Sequence, residues 1–200
     1  MVTGSPALIL ASASPRRRDL LERAGVAFDV RPADIPERPA PGEAPIDLAR
    51  RLAREKALAV ARRVKRLPRR WVLGADTIVV VDGEALGKPS DPAHAVELLT
   101  RLAGRRHRVI TAVAVVTSDS LEIREIAIES DVVMRPIPEW EIGEYVASGE
   151  PLDKAGAYAA QGRGRRFIER IEGSETNVIG LPLEETMALL RDAGLEVEAR

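Results

Sequence analysis

Apolar residues along this chain fall into two rhythms, one near two residues and one near three and a half, and these mark out its elements. Ala7 to Leu10 is a short, wholly apolar run that reads as a buried strand. After it come the small residues Ala11-Ser12-Ala13-Ser14. Pro15 then suits the first position of a helix with Ser14 as its cap, and Leu20, Leu21 and Ala24 supply an apolar face that Gly25 ends. Phe28 to Arg31 returns as a strand, and the proline-rich stretch Pro32 to Pro45 reads as a long loop of the kind that is often functional. Ile46 to Val64 is predicted helical from Ile46, Ala49, Leu52, Ala53 and Val60. Val72 to Val81 is too rich in β-branched residues for a helix, and Asp82-Gly83 after it signals a hairpin. Ser90-Asp91-Pro92 opens a helix that runs to Gly104. Two β-rich runs, Val109 to Val116 and Leu121 to Met134, are joined across Ser118-Asp119-Ser120. Pro138 to Ser148 is helical, Phe167 to Ile171 is a late strand, and Pro182 to Ala193, closed by Gly194, is the last helix. Helices and strands mix without strict alternation, which predicts an α/β fold on a mixed sheet. With no repeat, low-complexity tract or flexible linker, residues 1–200 read as one domain.

Composition narrows the chemistry. Thirty basic residues nearly cancel thirty-one acidic ones, so no global field draws the chain to nucleic acid or membrane. An anionic ligand must be held by a local constellation. Aromatics make up only 3%, which argues against stacking platforms for single strands. Cysteine is absent and histidine is confined to His94 and His107, removing thiol nucleophiles and cysteine-bearing zinc sites. Proton transfer and metal binding then fall to carboxylates. The run Met1 to Leu10 lacks a preceding basic region and a clear cleavage site, so it reads as a first strand instead of a signal peptide. No apolar stretch approaches the ~20 residues of a membrane helix, and a cytoplasmic location is the expectation.

Four places break their local rule. Asp76 is a carboxylate inside the apolar run Val72 to Val81, where desolvation is costly unless the group is paired or metal-bound. It is either a functional acid or a structural one satisfied by backbone N–H groups or an arginine. Lys56 continues the row of Leu52 and Val60 along an apolar helix face, where its stem either snorkels or serves a site. The other lysines are Lys65, Lys88 and Lys154 in a chain otherwise reliant on arginine, which hints that lysine is kept where a compact charge is needed. Lys65 belongs to the solvated run Arg62 to Arg66. Lys88, in Leu86-Gly87-Lys88-Pro89, lacks the spacing of a P-loop but follows the hairpin that begins after the Asp76 strand. Ser12-Ala13-Ser14-Pro15-Arg16-Arg17 is a strand-to-helix turn that either caps a helix with exposed arginines or offers N–H groups to an anion. Gly162-Arg163-Gly164 is a glycine-rich turn with a weaker claim on phosphate. Together these parts point to phosphoryl chemistry.

The same segments carry a resemblance. Leu10-Ala11-Ser12-Ala13-Ser14-Pro15-Arg16-Arg17 resembles the opening motif of the Maf family of nucleotide pyrophosphatases. The likeness continues through Arg51 to Ala57, Gly74-Ala75-Asp76-Thr77, Gly87-Lys88-Pro89, Pro151 to Tyr158, Gln161-Gly162 and Asn177 to Leu183. It implies an elongated mixed sheet flanked by helices, with two lobes, a nucleotide cleft between them and a homodimeric assembly. It also implies hydrolysis between the α- and β-phosphates with a divalent cation, Mg²⁺ or Mn²⁺. The family's catalytic acid falls on Asp76 and its lysines on Lys56 and Lys88, which with Ser12 and Ser14 of the strand-to-helix turn are the expected phosphate-binding groups. Arg16, Thr77 and Gln161 resemble the branch that prefers dTTP and UTP. Where the family's loop commonly reads Ile-Asp-Glu, this chain has Ile35-Pro36-Glu37, so the role of the middle aspartate is lost or passes to Asp34, and Glu37 and Asp76 are the expected metal-binding acids. The expected partner is a nucleoside triphosphate, with no membrane and no nucleic acid. The competing expectations are the same chemistry on modified pyrimidine nucleotides or 7-methyl-GTP, and a regulatory protein tied to septum formation or division arrest.

Overall fold

The computed structural model describes residues 7–65 and 68–197. Parts of the N-terminal run and of the basic run Arg62 to Arg66 lie outside the described residues. Seven strands form one mixed sheet in the order β2-β1-β3-β5-β6-β7, with β4 paired to β3. The strands are β1 (Leu8–Leu10), β2 (Phe28–Val30), β3 (Trp71–Val81), β4 (Glu84–Leu86), β5 (Arg106–Thr117), β6 (Ile123–Met134) and β7 (Ile168–Glu172). The helices are α1 (Pro15–Arg23), α2 (Pro45–Arg63), α3 (Pro92–Leu102), α4 (Glu139–Ala147), α5 (Glu175–Ile179) and α6 (Leu183–Asp192). The predicted mixed α/β sheet is therefore present. No helix among the described residues is long and apolar enough to cross a membrane.

The chain divides into two compact units. The first holds the described residues up to Asp76, then Thr111–Ile128, then those from Gly180 onward. Here β1 pairs in parallel with β2 and with β3, and its three residues are buried, as a parallel strand covered on both faces requires. Eight residues of α2 are buried at helical spacing: Leu48, Ala49, Leu52, Ala53, Lys56, Ala57, Val60 and Ala61. Lys56 is thus a full member of the buried stripe.

Gly74 lets this helix lie directly on β3. A Cβ at that position would stand 2.3 Å from the Ala53 carbonyl oxygen and 2.7 Å from the Ala57 nitrogen. Backbone cannot yield as a flexible side chain can, so Gly74→Ala must push α2 off the strand. We expect a loss of at least roughly 1–3 kcal/mol in denaturant unfolding, the usual cost of overpacking. An unaltered midpoint would show that α2 does not rest on Gly74.

The second unit comprises Thr77–Ile110 and Glu129–Ile179. The Asp82-Gly83 hairpin forms as its residues predict, with φ of 53° and 81°, and joins β3 to an antiparallel β4. Asp91 caps α3, its carboxylate accepting from the His94 N–H at 2.9 Å. The core of this unit gathers Leu99, Leu102, Met134, Tyr145 and Phe167, with the Tyr145 and Phe167 rings edge to face.

Several boundaries differ from the sequence reading. Strand β5 begins at Arg106, three residues before the predicted start, because its opening turns polar only on one face. Arg106 donates to Asp131 at 3.0 Å and Glu172 at 2.7 Å, and Arg108 pairs with Glu129, while His107 between them is buried. Short 3₁₀ turns at Glu150–Asp153, Ala155–Ala157 and Gly162–Phe167, and the helix α5, have no counterpart in the apolar pattern of the chain. They are too short to complete a periodic pattern.

His107 has a consequence for acid stability. Its Nε2 lies 2.7 Å from the Tyr158 hydroxyl, and its buried Nδ1 has no hydrogen-bond partner. Burial pushes its pKa down to about 4. The unfolded chain therefore takes up this proton near pH 6.5 while the native state resists it. Nothing is lost above pH 6.5; stability falls progressively from there to about pH 4, by on the order of 3 kcal/mol. Melting the protein across that range should show a slope that His107→Gln reduces, and parallel curves for the two proteins would exclude His107 as its source.

Candidate active site

The first unit assembles four charged groups from four parts of the chain, α1, the loop after β2, α2 and β3. Asp76 sits on β3 and is buried, at 8% exposure. Lys56 of α2 donates from Nζ to Asp76 Oδ1 at 2.7 Å and also pairs with Glu37 Oε1 at 2.5 Å. The ammonium is itself buried, so the snorkelling alternative for Lys56 does not hold. Its place on the apolar stripe aims it inward, and Gly74 brings the helix close enough for it to reach the strand.

The fourth group is Arg17, whose segment Arg16-Arg17-Arg18 looks solvated by composition. It is buried, with Nε donating to the Gly180 carbonyl at 2.8 Å and Nη1 donating to Ser12 Oγ at 3.0 Å. Helical spacing offered a signal: Arg17 precedes Leu20, Leu21 and Ala24 by three, four and seven residues, placing it on the inner face of α1. Arg17 feels the charges of both Asp76 and Glu37.

Burial raises the Asp76 pKa above the ordinary carboxylate range, against the opposing pull of Lys56 and Arg17. A raised carboxylate is a stronger base than an exposed aspartate, which suits a general base. Burial also lowers the Arg17 pKa, with the Asp76 charge opposing.

Ser14 occupies the N-cap of α1, but its side chain makes no capping hydrogen bond. Instead its N–H donates to Ser12 Oγ at 3.2 Å, so Ser12 organises the turn that Ser14 was expected to cap. Ser12 is buried, while Ser14 and Arg16 are half-buried.

Glu37 lies in the long loop between β2 and α2, which is tied down by Arg51. Arg51 grips Glu43 with two nitrogens, at 2.7 Å and 2.8 Å, and donates to the Arg38 carbonyl at 3.0 Å. Glu43 also accepts from the Ala40 N–H at 2.9 Å. These bonds, led by Arg51, hold the Glu43 pKa down to about 2. The clamp explains how a proline-rich loop can present Glu37 to Lys56. Arg51 was visible in the sequence only as part of a motif, without a role.

Thr77, Lys88 and Gln161 belong to the second unit. Thr77 is half-buried on β3, and Lys88 is exposed in the segment after β4. That segment is anchored by Gly156, whose N–H donates to the Gly87 carbonyl at 3.1 Å. Gly156 has φ of 67°, and a Cβ there would meet the Val79 side chain at 3.0 Å, so the position favours glycine twice over. Gln161 is half-buried and extended, immediately before the turn Gly162–Phe167. The N–H groups of Arg163 and Gly164 in that turn, candidates for phosphate, are both taken by the Glu150 carboxylate at 3.2 Å.

Among the described residues no cluster of three or more histidine, aspartate or glutamate side chains is arranged to hold a metal ion. The site instead offers two carboxylates, Asp76 and Glu37, on a shared ammonium. Mg²⁺ is commonly held by one or two carboxylates with the remainder of its shell from water and substrate phosphates, so this donor set fits a cation that is completed by a polyphosphate.

Comparison with known proteins shows what the chain as a whole is similar to. A dTTP/UTP pyrophosphatase of Geobacter sulfurreducens is 54% identical over 187 residues, covering 94% of this chain and 96% of that one. Those of Myxococcus xanthus and Escherichia coli O157:H7 are 49% and 50% identical, covering 96% and 92% of this chain and 95% and 91% of their own. A solved nucleoside-triphosphatase / dITP/XTP pyrophosphatase from Mycobacterium abscessus aligns over 95% of this chain and 99% of that one, at 18% identity and a TM-score of 0.41, a likeness that carries no argument. The family model described as Maf-like protein matches residues 7–193, so nearly the whole chain, with the Asp76, Lys56, Arg17 and Glu37 cluster inside it, belongs to the Maf-like family.

Proposed function

We propose that this protein hydrolyses dTTP and UTP to the monophosphate and pyrophosphate. The observation that carries this reading is the buried Asp76–Lys56 pair, in a chain about half identical to dTTP/UTP pyrophosphatases. Water attacks the α-phosphorus, the bond to the β-phosphoryl oxygen breaks, and pyrophosphate leaves. Asp76 orients the water and accepts its proton. Lys56, Arg16 and Lys88 neutralise charge on the phosphates, with the Ser12–Ser14 turn as a further phosphate contact. Glu37 and Asp76 would hold Mg²⁺ or Mn²⁺, which when bound supplies charge neutralisation along the polyphosphate.

Base preference falls to Arg16, Thr77 and Gln161. A glutamine amide offers one donor edge and one acceptor edge, matching the acceptor carbonyl and donor N–H of the uracil or thymine imide. Residues 1–200 act as one domain in this reading, and the active form is a homodimer. A cytoplasmic enzyme of this kind keeps unwanted nucleotides, modified pyrimidines among them, from incorporation.

The test is a panel of triphosphates with and without Mg²⁺, with products identified by phosphorus NMR. UTP and dTTP should release pyrophosphate fastest and only with the cation. Faster turnover of 7-methyl-GTP, or release of single orthophosphates, would overturn the assignment. Gln161→Ala should lower kcat/KM for UTP and dTTP selectively, by roughly tenfold for a lost hydrogen-bonded edge. An equal loss across the panel would remove Gln161 from base reading.

A further inference from the structure

Glu150 has a place in the second unit that the proposed chemistry does not use. It follows Gly149, which ends α4 in a left-handed conformation at φ of 76°, and opens the first 3₁₀ turn. Its backbone is held from two sides. The Glu150 N–H donates to Ser148 Oγ at 3.3 Å, and its carbonyl accepts from Lys154 Nζ at 2.5 Å. The side chain then reaches across the chain. Oε1 accepts from the Tyr145 hydroxyl at 3.0 Å and the Gly164 N–H at 3.2 Å, and Oε2 accepts from the Arg163 N–H at 3.2 Å.

These are the N–H groups of a glycine turn that would otherwise suit an anion. A carboxylate with both oxygens engaged fills that role from within the chain. The fit is close: a Cβ on Gly162, which has φ of 70°, would stand 3.0 Å from Glu150 Oε1. Gly164 is closer still to its surroundings, since a Cβ there would meet the Ala159 carbonyl oxygen and the Tyr145 hydroxyl at 2.7 Å each. Tyr145 is anchored in turn by its ring, which packs edge to face on Phe167 at the far end of the same turn.

Gln161 is the residue that enters this turn, in an extended conformation with φ of −120° and ψ of 166°. Its backbone direction is therefore set by the two residues Glu150 holds. We propose that Glu150 is a specificity-positioning residue: its carboxylate seats the 162–164 turn and thereby aims Gln161 at the edge of the base. This rests on the reading of Gln161 as the group that recognises the imide. The ligand class it selects for is a pyrimidine with an acceptor–donor edge, uracil or thymine; selection over cytosine, whose corresponding edge is reversed, requires that the seated turn also hold the Gln161 amide in one of its two flipped orientations.

Glutamine at position 150 keeps the size of the side chain but turns one acceptor into a donor facing another donor. The experiment compares kcat/KM for UTP and CTP in the full-length protein, as wild type, Glu150→Gln, Gln161→Ala and the double variant. The UTP-over-CTP preference should fall roughly tenfold in Glu150→Gln, chiefly through KM for UTP. The double variant should lose no more preference than Gln161→Ala alone, because both changes remove one function. A purely structural glutamate would lower activity on both substrates and leave their ratio unchanged. That result, with Gln161→Ala still losing preference, overturns the role of Glu150 and leaves the reading of Gln161 standing. An unchanged ratio in Gln161→Ala overturns both. Should Glu150→Gln not fold, Tyr145→Phe carries the test. It removes one of the three donors while keeping the ring on Phe167, so a smaller loss of preference supports the proposal and an unchanged ratio overturns it.

Discussion

Asp76→Asn is expected to reduce pyrophosphate release by at least about a thousandfold while leaving the fold intact, since general-base contributions of this size are usual. Asparagine has the shape of aspartate but cannot accept the proton of the attacking water. The folded state should tolerate it. Burial already raises the Asp76 pKa, so the site resists the charged form even with Lys56 and Arg17 nearby. The lost ion pair with Lys56 is partly replaced by a hydrogen bond to the amide oxygen. Circular dichroism and thermal melting check the fold, and a continuous pyrophosphate assay checks the rate. A near-normal rate in a folded Asp76→Asn protein would remove Asp76 from its role.

The second large effect comes from the other side of the pair. Lys56→Met keeps a long apolar stem on the buried stripe of α2 but removes the ammonium that the buried Asp76 carboxylate shares with Glu37. Removing one partner of a buried pair typically costs about 3–5 kcal/mol, because the other charge is left desolvated. Part of that cost is relieved if Asp76 protonates. Lys56 is the foremost influence lowering the Asp76 pKa, so its loss moves that pKa further up. The sign follows directly. The base form of Asp76 is then reached only at higher pH, and the acid limb of the kcat/KM profile shifts toward alkaline pH. Protonation of Asp76 should also stabilise the variant more than the wild type as pH falls, because its pKa is raised in both and further in the variant. Urea unfolding and a pH–rate profile measure the two effects. An acid limb that stays in place would separate Lys56 from Asp76 in function, whatever the stability result.

The two acids and two cations differ in how visible they were beforehand. Asp76 and Lys56 each contradict a strong local pattern, an apolar strand in one case and an apolar helix stripe in the other. Such a contradiction is legible from neighbours a few residues away. Arg17 contradicts its pattern too, but its neighbours Arg16 and Arg18 make the segment look like a solvated run, and only counting forward to Leu20 and Leu21 exposes it. Glu37 sits in a loop, where no periodicity exists to be violated. Its position depends on the Arg51–Glu43 clamp. The same limit explains the 3₁₀ turns between Glu150 and Phe167, whose shape comes from hydrogen bonds to side chains and not from spacing.

What the amino-acid order determined alone is the succession of the longer elements and, among the places that break their local rule, the two residues Asp76 and Lys56 whose charge conflicts with an apolar pattern. Both follow from local rules: apolar period, caps, turn dipeptides and the cost of burying a charge. The tertiary structure alone decided which groups meet. Lys56 finds Asp76 twenty positions away, Arg17 finds the Gly180 carbonyl 163 positions away, and Glu150 takes the N–H of Gly164 fourteen positions on. The physical reason is that a hydrogen bond is a matter of ångströms, whereas periodicity reports only which side of an element is dry. Many arrangements satisfy the same dry faces, and close approaches such as the one Gly74 permits select among them.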